Sequence, residues 1–292
     1  MHQVINVGLI GVGLMGHGIA RNILGAGHRL CFLDHAGNQP VDDLLADGAI
    51  AKSSGREVAE AAEVVILCVT GSPQVEAVLF EAGGVLEGLK PDSVVIDCST
   101  ALPSSTQQVA ARVQAAGGRF MDAAMTRTPK EAEEGRLNLI VGASETLFDE
   151  VRPLLESFAE HIAHAGPVSA GHTLKLLHNF VSLGFSAVLA EATVASRAAG
   201  IDDAALLEVL GKGGGGGVIF ERLRPFIASA DPSGFRFSVA NANKDLGYYH
   251  AMTEQLGVSD GVAAAVHHLY AGIEDQGVSV PEVIRVLQEN VS

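Results

Sequence analysis

The sequence predicts an α/β chain: a doubly wound, mostly parallel sheet in the amino-terminal half, then an all-helical carboxy-terminal half. Three observations carry this reading. From Met1 to about Ala165, short apolar runs of strand length alternate with helical patterns, the mark of successive βαβ units. Past Gly166 the strand pattern stops. His172 to Ala199 is then a long run rich in Ala, Leu and Val with no proline and one glycine, Gly184. At 1.5 Å per residue it makes a linking helix of roughly 40 Å. The expected domains are 1–165 and 166–292.

The expected strands are Val4 to Ile10, Arg29 to Leu33, Val64 to Cys68, Val94 to Asp97, Arg119 to Met121, Leu137 to Val141 and His161 to His164, with a short one near Ala49. Helices are expected to start near Met15, Val41, Glu57, Pro73, Pro103 and Glu145. Pro73 and Pro103 each follow a Ser-containing turn, as first-turn prolines do. After the long helix, Gly200 and Asp202 mark a stop and a start. Further helices are expected at Asp203 to Leu210, Phe220 to Ser229, Asn243 to Leu256, Gly261 to Ala271 and Pro281 to Glu289. The glycine-rich stretch 211–217 lacks the Lys-Ser/Thr ending of a phosphate-binding P-loop and reads as a mobile loop near the cleft.

The stretch Val4 to Gly18, VINVGLIGVGLMGHG, organises the first half. An apolar strand runs into Gly11, Gly13 and Gly16 at GxGxxG spacing, and a helix opens at Met15. The first glycine permits a tight turn, the second lets backbone approach a pyrophosphate, and the third lets helix pack on strand. The helix N-terminus, with its partial positive charge, then faces the phosphates. Asp34 ends the next apolar run, 18 residues after Gly16. A carboxylate there accepts the adenosine ribose hydroxyls and repels a 2′-phosphate, so NAD is expected over NADP. The alternative is a solvated Asp at a strand end.

At 292 residues and 48% hydrophobic content, the chain can bury a large core. It carries 34 acidic against 19 basic residues, a net charge of −15, which argues against a nucleic-acid or anionic-membrane partner. Cys31, Cys68 and Cys98 lie in or beside strand-like runs, without metal-ligand spacing. They read as small buried hydrophobes in a reducing compartment, and no metal is expected. Neither a leader before Val4 nor an apolar run near the ~20 residues of a membrane span is apparent, so a cytoplasmic protein is expected.

Four groups carry candidate chemistry. Asp97-Cys98-Ser99-Thr100 places two hydroxyls at a strand end, for a nicotinamide ribose, a substrate or a helix cap before Pro103. Thr126-Arg127-Thr128 follows the next strand; the guanidinium suits a carboxylate, sulfonate or phosphate, or a surface pair with Glu131, Glu133 or Glu134. Lys175 and Asn179 stand i, i+4 on one face of the long helix, among Leu174, Leu176 and Leu177. An ammonium there either snorkels to water or serves as the proton donor that hydride transfer to a carbonyl requires. Lys244, beside Asp245 with Asn241 and Asn243 near, is placed at a helix start, against the dipole; a cofactor or substrate contact and a surface pair are both open.

Four ordered stretches, GLIGVGLMG, DCSTALP, AGHTLKLLHNF and NKDLGYY, together resemble the β-hydroxyacid dehydrogenases of the 6-phosphogluconate dehydrogenase superfamily. This family includes 3-hydroxyisobutyrate dehydrogenase and tartronate semialdehyde reductase. The resemblance implies a Rossmann domain, a helical domain that often mediates homodimers or homotetramers, and NAD(P)-linked interconversion of a β-hydroxyacid and its semialdehyde. It implies that Lys175 is the proton donor and acceptor, that Asn179 orients the substrate, and that Thr126, Arg127 and Thr128, with Ser99, hold a small anionic substrate. Gly11, Gly13, Leu14, Met15, Gly16, Asp34, Val69, Thr70, Thr100 and Lys244 are then the cofactor contacts. Where many members read Asp-Ala-Pro-Val-Ser-Gly-Gly, this chain has DAAMTRT, so two glycines become Arg127 and Thr128. An Arg-Thr pair here is similar to sulfolactaldehyde reductases, which makes a sulfonate the alternative substrate. A non-catalytic dinucleotide-binding scaffold has no need of Lys175.

Overall fold

A computed structural model of the chain describes residues 4–289. The chain divides into two compact units at Lys175/Leu176. The first unit opens with β1 (Asn6–Ile10), α1 (Gly16–Gly25), β2 (Arg29–Leu33), α2 (Asp42–Ala46), β3 (Ile50–Lys52), α3 (Gly55–Ala61) and β4 (Val64–Leu67). It continues with α4 (Ser72–Phe80), α5 (Val85–Gly88), β5 (Val94–Asp97), α6 (Pro103–Ala115), β6 (Arg119–Thr126), α7 (Pro129–Glu133), β7 (Leu137–Gly142), α8 (Glu145–Leu155) and β8 (Ala159–Gly166). The long helix α9 (Ala170–Ala198) runs on into the second unit.

The sheet order is β3-β2-β1-β4-β5-β6-β7-β8, and every neighbouring pair is parallel except β6 and β7. Unbroken apolar strands suit such a sheet because both faces are covered. Val64 and Ile66 of β4, with Val94 and Ile96 of β5, join Ile19 and Ile23 of α1 and Phe148 and Leu154 of α8 on one face. The intervening Val65, Leu67 and Val95 join Val58 of α3, Val75 and Leu79 of α4, and Val109 and Val113 of α6 on the other. Each such side chain contributes roughly 1.5–3 kcal/mol by leaving water.

The second unit holds α10 (Asp203–Lys212), α11 (Val218–Ser229), α12 (Val239–Leu256), α13 (Gly261–Ala271) and α14 (Val283–Glu289), with short 3-10 turns at Pro232–Phe235 and Val280–Glu282. Leu183 and Leu189 of α9 pack with Phe220 and Leu223 of α11, Leu246 of α12 and Tyr270 of α13. Asp202 caps α10 by accepting from Ala204 N–H, and Ser238 caps α12 by accepting from Asn241 N–H.

Several expectations need revision. β6 runs past Met121 to Thr126 because it folds back on β7 as an antiparallel pair, with Asp122 opposite Gly142 and Thr126 opposite Asn138. The strand-end loop therefore starts at Arg127. The turn between them holds α7, unforeseen although Thr128-Pro129-Lys130-Glu131 spells a capping box with proline in the first turn. α12 begins at Val239, so Lys244 sits in its second turn and the argument from an opposing dipole falls away. The glycine-rich break starts after Lys212, which is helical and paired with Glu208. Among the described residues α9 alone is long and apolar enough by length and composition to cross a membrane, and 44% of its most apolar window is buried within the fold, as in a core helix.

Candidate active site

β2, β1, β4, β5 and β6 run parallel side by side, so their carboxyl ends bring the candidate loops to one edge of the sheet. Open sheets of this kind bind ligands there. The glycine turn between β1 and α1 is shaped by what cannot fit. Gly11 has φ +99°, and a Cβ on it would overlap the carbonyl of Cys68. A Cβ on Gly16 would overlap the carbonyl of Gly11. On Gly13, by contrast, a Cβ would meet no protein atom within 4 Å. The middle glycine therefore keeps open a space above the backbone, at the start of a helix whose first N–H groups have no intrahelical acceptor. That cradle fits a pyrophosphate.

Leu14 is exposed and Met15 half-buried beside this turn. Asp34 follows β2, exposed, its N–H donating to Lys52 O. Asn38, not foreseen, ties the two loops together. Its Oδ1 accepts from Val12 N–H at 3.3 Å and its Nδ2 donates to Leu33 O at 2.9 Å. The sequence offered only an Asn four residues after Asp34 as a signal. Thr70 is exposed, whereas Ser99 is buried and stitches the ends of β4 and β5. Its Oγ accepts from Val69 N–H at 3.1 Å, and its own N–H donates to Asp97 Oδ1 at 2.9 Å. Thr100 follows, half-buried.

At the end of β6, Thr126 is the last strand residue and Arg127 makes the reversal with φ +80°. Arg127 Nη1 donates to Arg136 O at 2.5 Å and pairs with Glu160 of β8, not with the acidic residues of the adjacent helix. Thr128 caps α7, its hydroxyl donating to Glu131 Oε2 at 2.5 Å. This turn rests directly on α1. Asn22 Nδ2 donates to Ala132 O at 2.9 Å, and a Cβ on Gly18 would stand 2.6 Å from that same oxygen.

Lys175, 8% exposed, lies in the second turn of α9. The start of that helix is anchored by Asp122 of β6, a fully buried carboxylate whose Oδ1 accepts from Ser169 N–H at 2.7 Å and whose Oδ2 accepts from His172 N–H at 2.8 Å. Gly142 and Gly171 make room for it, since a Cβ on either would lie 2.5 Å and 2.7 Å from its oxygens. Burial raises the Asp122 carboxyl above its usual range, with the nearby His172 and the two N–H donors opposing. In the sequence Asp122 stands out only as the first residue of DAAMTRT. Its task depends on residues 47 and 50 positions away.

In the second unit, Asn179 is buried and its Nδ2 donates to Asp245 Oδ2 at 2.6 Å. Asp245, also buried, pairs through Oδ1 with Lys244 Nζ at 3.2 Å. Lys244 also lies 5.7 Å from the Tyr248 ring centroid. A charge-assisted hydrogen bond of this kind contributes about 1.5–3 kcal/mol and fixes the amide of Asn179. Among the described residues no cluster of three or more His, Cys, Asp or Glu side chains could hold a metal ion.

A doubly wound sheet, a glycine cradle at its carboxyl edge and an acidic end to its second strand define a dinucleotide-binding oxidoreductase. Residues 6–166 match the NAD binding domain of 6-phosphogluconate dehydrogenase, and residues 169–287 match the NAD-binding domain of NADP-dependent 3-hydroxyisobutyrate dehydrogenase. The chain belongs to the β-hydroxyacid dehydrogenase family. It is 30% identical to 2-(hydroxymethyl)glutarate dehydrogenase of Eubacterium barkeri over 99% of this chain and 95% of that one. It is 32% identical to 3-sulfolactaldehyde reductase of Escherichia coli over 91% and 89%. The solved structure of Mycobacterium tuberculosis 3-hydroxyisobutyrate dehydrogenase with L-serine superposes with a TM-score of 0.88 at 26% identity, covering 98% of this chain and 100% of that one. The chain is therefore an NAD(P)-dependent oxidoreductase that interconverts a hydroxyacid and its semialdehyde, and the scaffold reading is set aside.

Proposed function

We propose that this enzyme acts on a short 3-hydroxyacid of about three or four carbons and prefers NAD to NADP, with 1–165 as its dinucleotide-binding domain and 166–292 as its helical domain. The observation that carries the reading is Lys175, a buried lysine on the helix pinned by Asp122 in the middle of β6, opposite the carboxyl end of β5. A nicotinamide dinucleotide, when bound, supplies the hydride acceptor or donor. Gly11 to Gly16 would hold its pyrophosphate, Asp34 its adenosine ribose, and Val69, Thr70, Thr100 and Lys244 its nicotinamide half.

Lys175 takes the proton from the substrate hydroxyl as the neutral amine in oxidation and returns one to the carbonyl oxygen as the ammonium in reduction. Asn179, its amide held by Asp245, orients the substrate. Thr126, Arg127, Thr128 and Ser99 receive its acid group. Arg127 also favours the second reading, a sulfonate substrate, which the name of the Escherichia coli relative supports. Val181 and Val188 of α9, 67% and 61% exposed, support a homodimer or homotetramer, which light scattering measures.

The test is an initial-rate panel of 3-hydroxypropionate, 3-hydroxyisobutyrate, L-serine and 2,3-dihydroxypropane-1-sulfonate with each cofactor. Lys175→Ala should lower kcat by about a thousandfold or more with NAD affinity kept within about twofold, and a mild loss sinks the assignment. Asp34→Ser should erode the preference for NAD. An unchanged NAD/NADP ratio would remove the electrostatic argument.

A further inference from the structure

His172 is completely buried, one turn before Lys175, and takes no part in the chemistry above. Its surroundings dictate how the ring is held. The Thr106 hydroxyl lies 2.7 Å from His172 Nδ1 and 3.2 Å from Leu102 O, so a hydrogen bond joins hydroxyl and ring, its direction set by the imidazole tautomer. The opposite nitrogen, Nε2, faces Asp97 Oδ2 at 4.0 Å, and neither atom has a hydrogen-bond partner. The gap is too long for a direct hydrogen bond. The imidazole is thus wedged between α6 and β5, while the backbone of the same residue hangs from Asp122 on β6.

Two N–H bonds to one carboxylate define a hinge, because Ser169 and His172 can both pivot about Asp122. Ser169 already holds φ +78°, a backbone shape that costs about 1–3 kcal/mol outside glycine and needs such anchorage. The ring of His172 adds a third point, from other elements, and a third point removes the pivot. Gln107 Nε2, donating to Ser169 Oγ at 3.2 Å, restrains the same turn more loosely. We propose that His172 is a positioning residue: wedged against Thr106 and Asp97, it fixes the rotation of the first turn of α9 and so the place where Lys175 presents its ammonium. The proposal rests on Lys175 being the proton carrier.

The test uses the full-length enzyme, the fastest substrate of the panel above and the same substrate deuterated at its carbinol carbon. His172→Leu should lower kcat by about tenfold or more with KM and the NAD dissociation constant moved less than about threefold, and should raise the deuterium isotope effect on kcat as the chemical step becomes limiting. Amide exchange over residues 170–176 should quicken in the cofactor-free protein. His172→Gln, whose amide can donate to or accept from Thr106, should recover most of the loss. Thr106→Val should reproduce the loss in wild type and add little in His172→Leu.

The proposal is overturned if kcat and exchange are unchanged, if the Thr106 and His172 losses multiply independently, or if KM, kcat and the folded fraction fall together. Failure of the underlying reading looks different. Lys175→Ala would then keep its turnover whatever happens at His172.

Discussion

Two turns at the same edge of the sheet, the ones we propose receive the pyrophosphate and the substrate's acid group, are built on opposite principles. The β1–α1 turn, residues 11–16, is shaped by missing side chains: two of its glycines are demanded by neighbouring carbonyls and the third guards empty space. The β6–β7 turn, residues 127–136, has a non-glycine residue at its reversal and is held by side chains, through the Arg127 pair with Glu160 and the Thr128–Glu131 capping box. Backbone sterics are indifferent to salt and pH, whereas ion pairs and charge-assisted caps are not. The first turn therefore suits a ligand part common to all dinucleotides. The second suits a part that differs between substrates.

The sharpest way to break this contrast is at the glycines. Gly11→Ala should destabilise the fold by about 2 kcal/mol or more, because φ +99° and the Cys68 carbonyl both exclude a methyl group. Gly13→Ala should leave the urea midpoint within about 0.5 kcal/mol of wild type yet weaken NAD binding by about tenfold or more, since its methyl group occupies only the space assigned to the pyrophosphate. Equal stability losses in the two variants would show that the cradle is packing and not a ligand site.

The second turn should respond to charge. Glu160→Gln releases Arg127 from its carboxylate, so KM for anionic substrates should fall by about two- to fivefold with kcat unchanged. Arg127→Ala should raise it by about tenfold. Both effects should shrink in high salt. A Glu160→Gln enzyme with unaltered KM would mean that Arg127 serves only the fold.

The same contrast explains what could be read in advance. Gly11, Gly13 and Gly16 and the acidic end of β2 were legible because they encode local backbone shape at fixed spacing. The buried strands were legible because both of their faces must be apolar. The extension of β6 was not. Asp122-Ala123-Ala124-Met125 has weak strand propensity, and beyond Asp122, which still pairs with β5, it is pairing with β7 that holds it extended. Arg127 stands out in the sequence, but its partner Glu160 lies 33 residues on, across a strand pairing that sequence does not announce. The supporting contacts of Asn38, Asp122, His172 and Asp245 are not legible for that reason, since each joins residues that tertiary folding brings together. α7 and the 3-10 turn Val280–Glu282 each carry a local signal that was present and unused, a capping box with proline in the first turn.

The smallest effect tests whether the second turn is electrostatic down to its cap. The Thr128 hydroxyl, more than any other group, holds the Glu131 carboxyl below its usual range, with the Thr128 N–H and Arg127 acting in the same direction and partial burial opposing. A carboxyl lowered in the folded state stabilises fully above its unfolded value of 4.5 and loses that contribution as pH falls below it. Gln at this position still completes the capping box but lacks the charge that favours a helix N-terminus. Glu131→Gln should therefore cost about 0.5 kcal/mol at pH 7, and the difference between variant and wild type should close as urea unfolding is repeated at successively lower pH beneath 4.5. A gap that stays constant through that range would mean that shape alone, as in the glycine turn, holds the Thr128 cap.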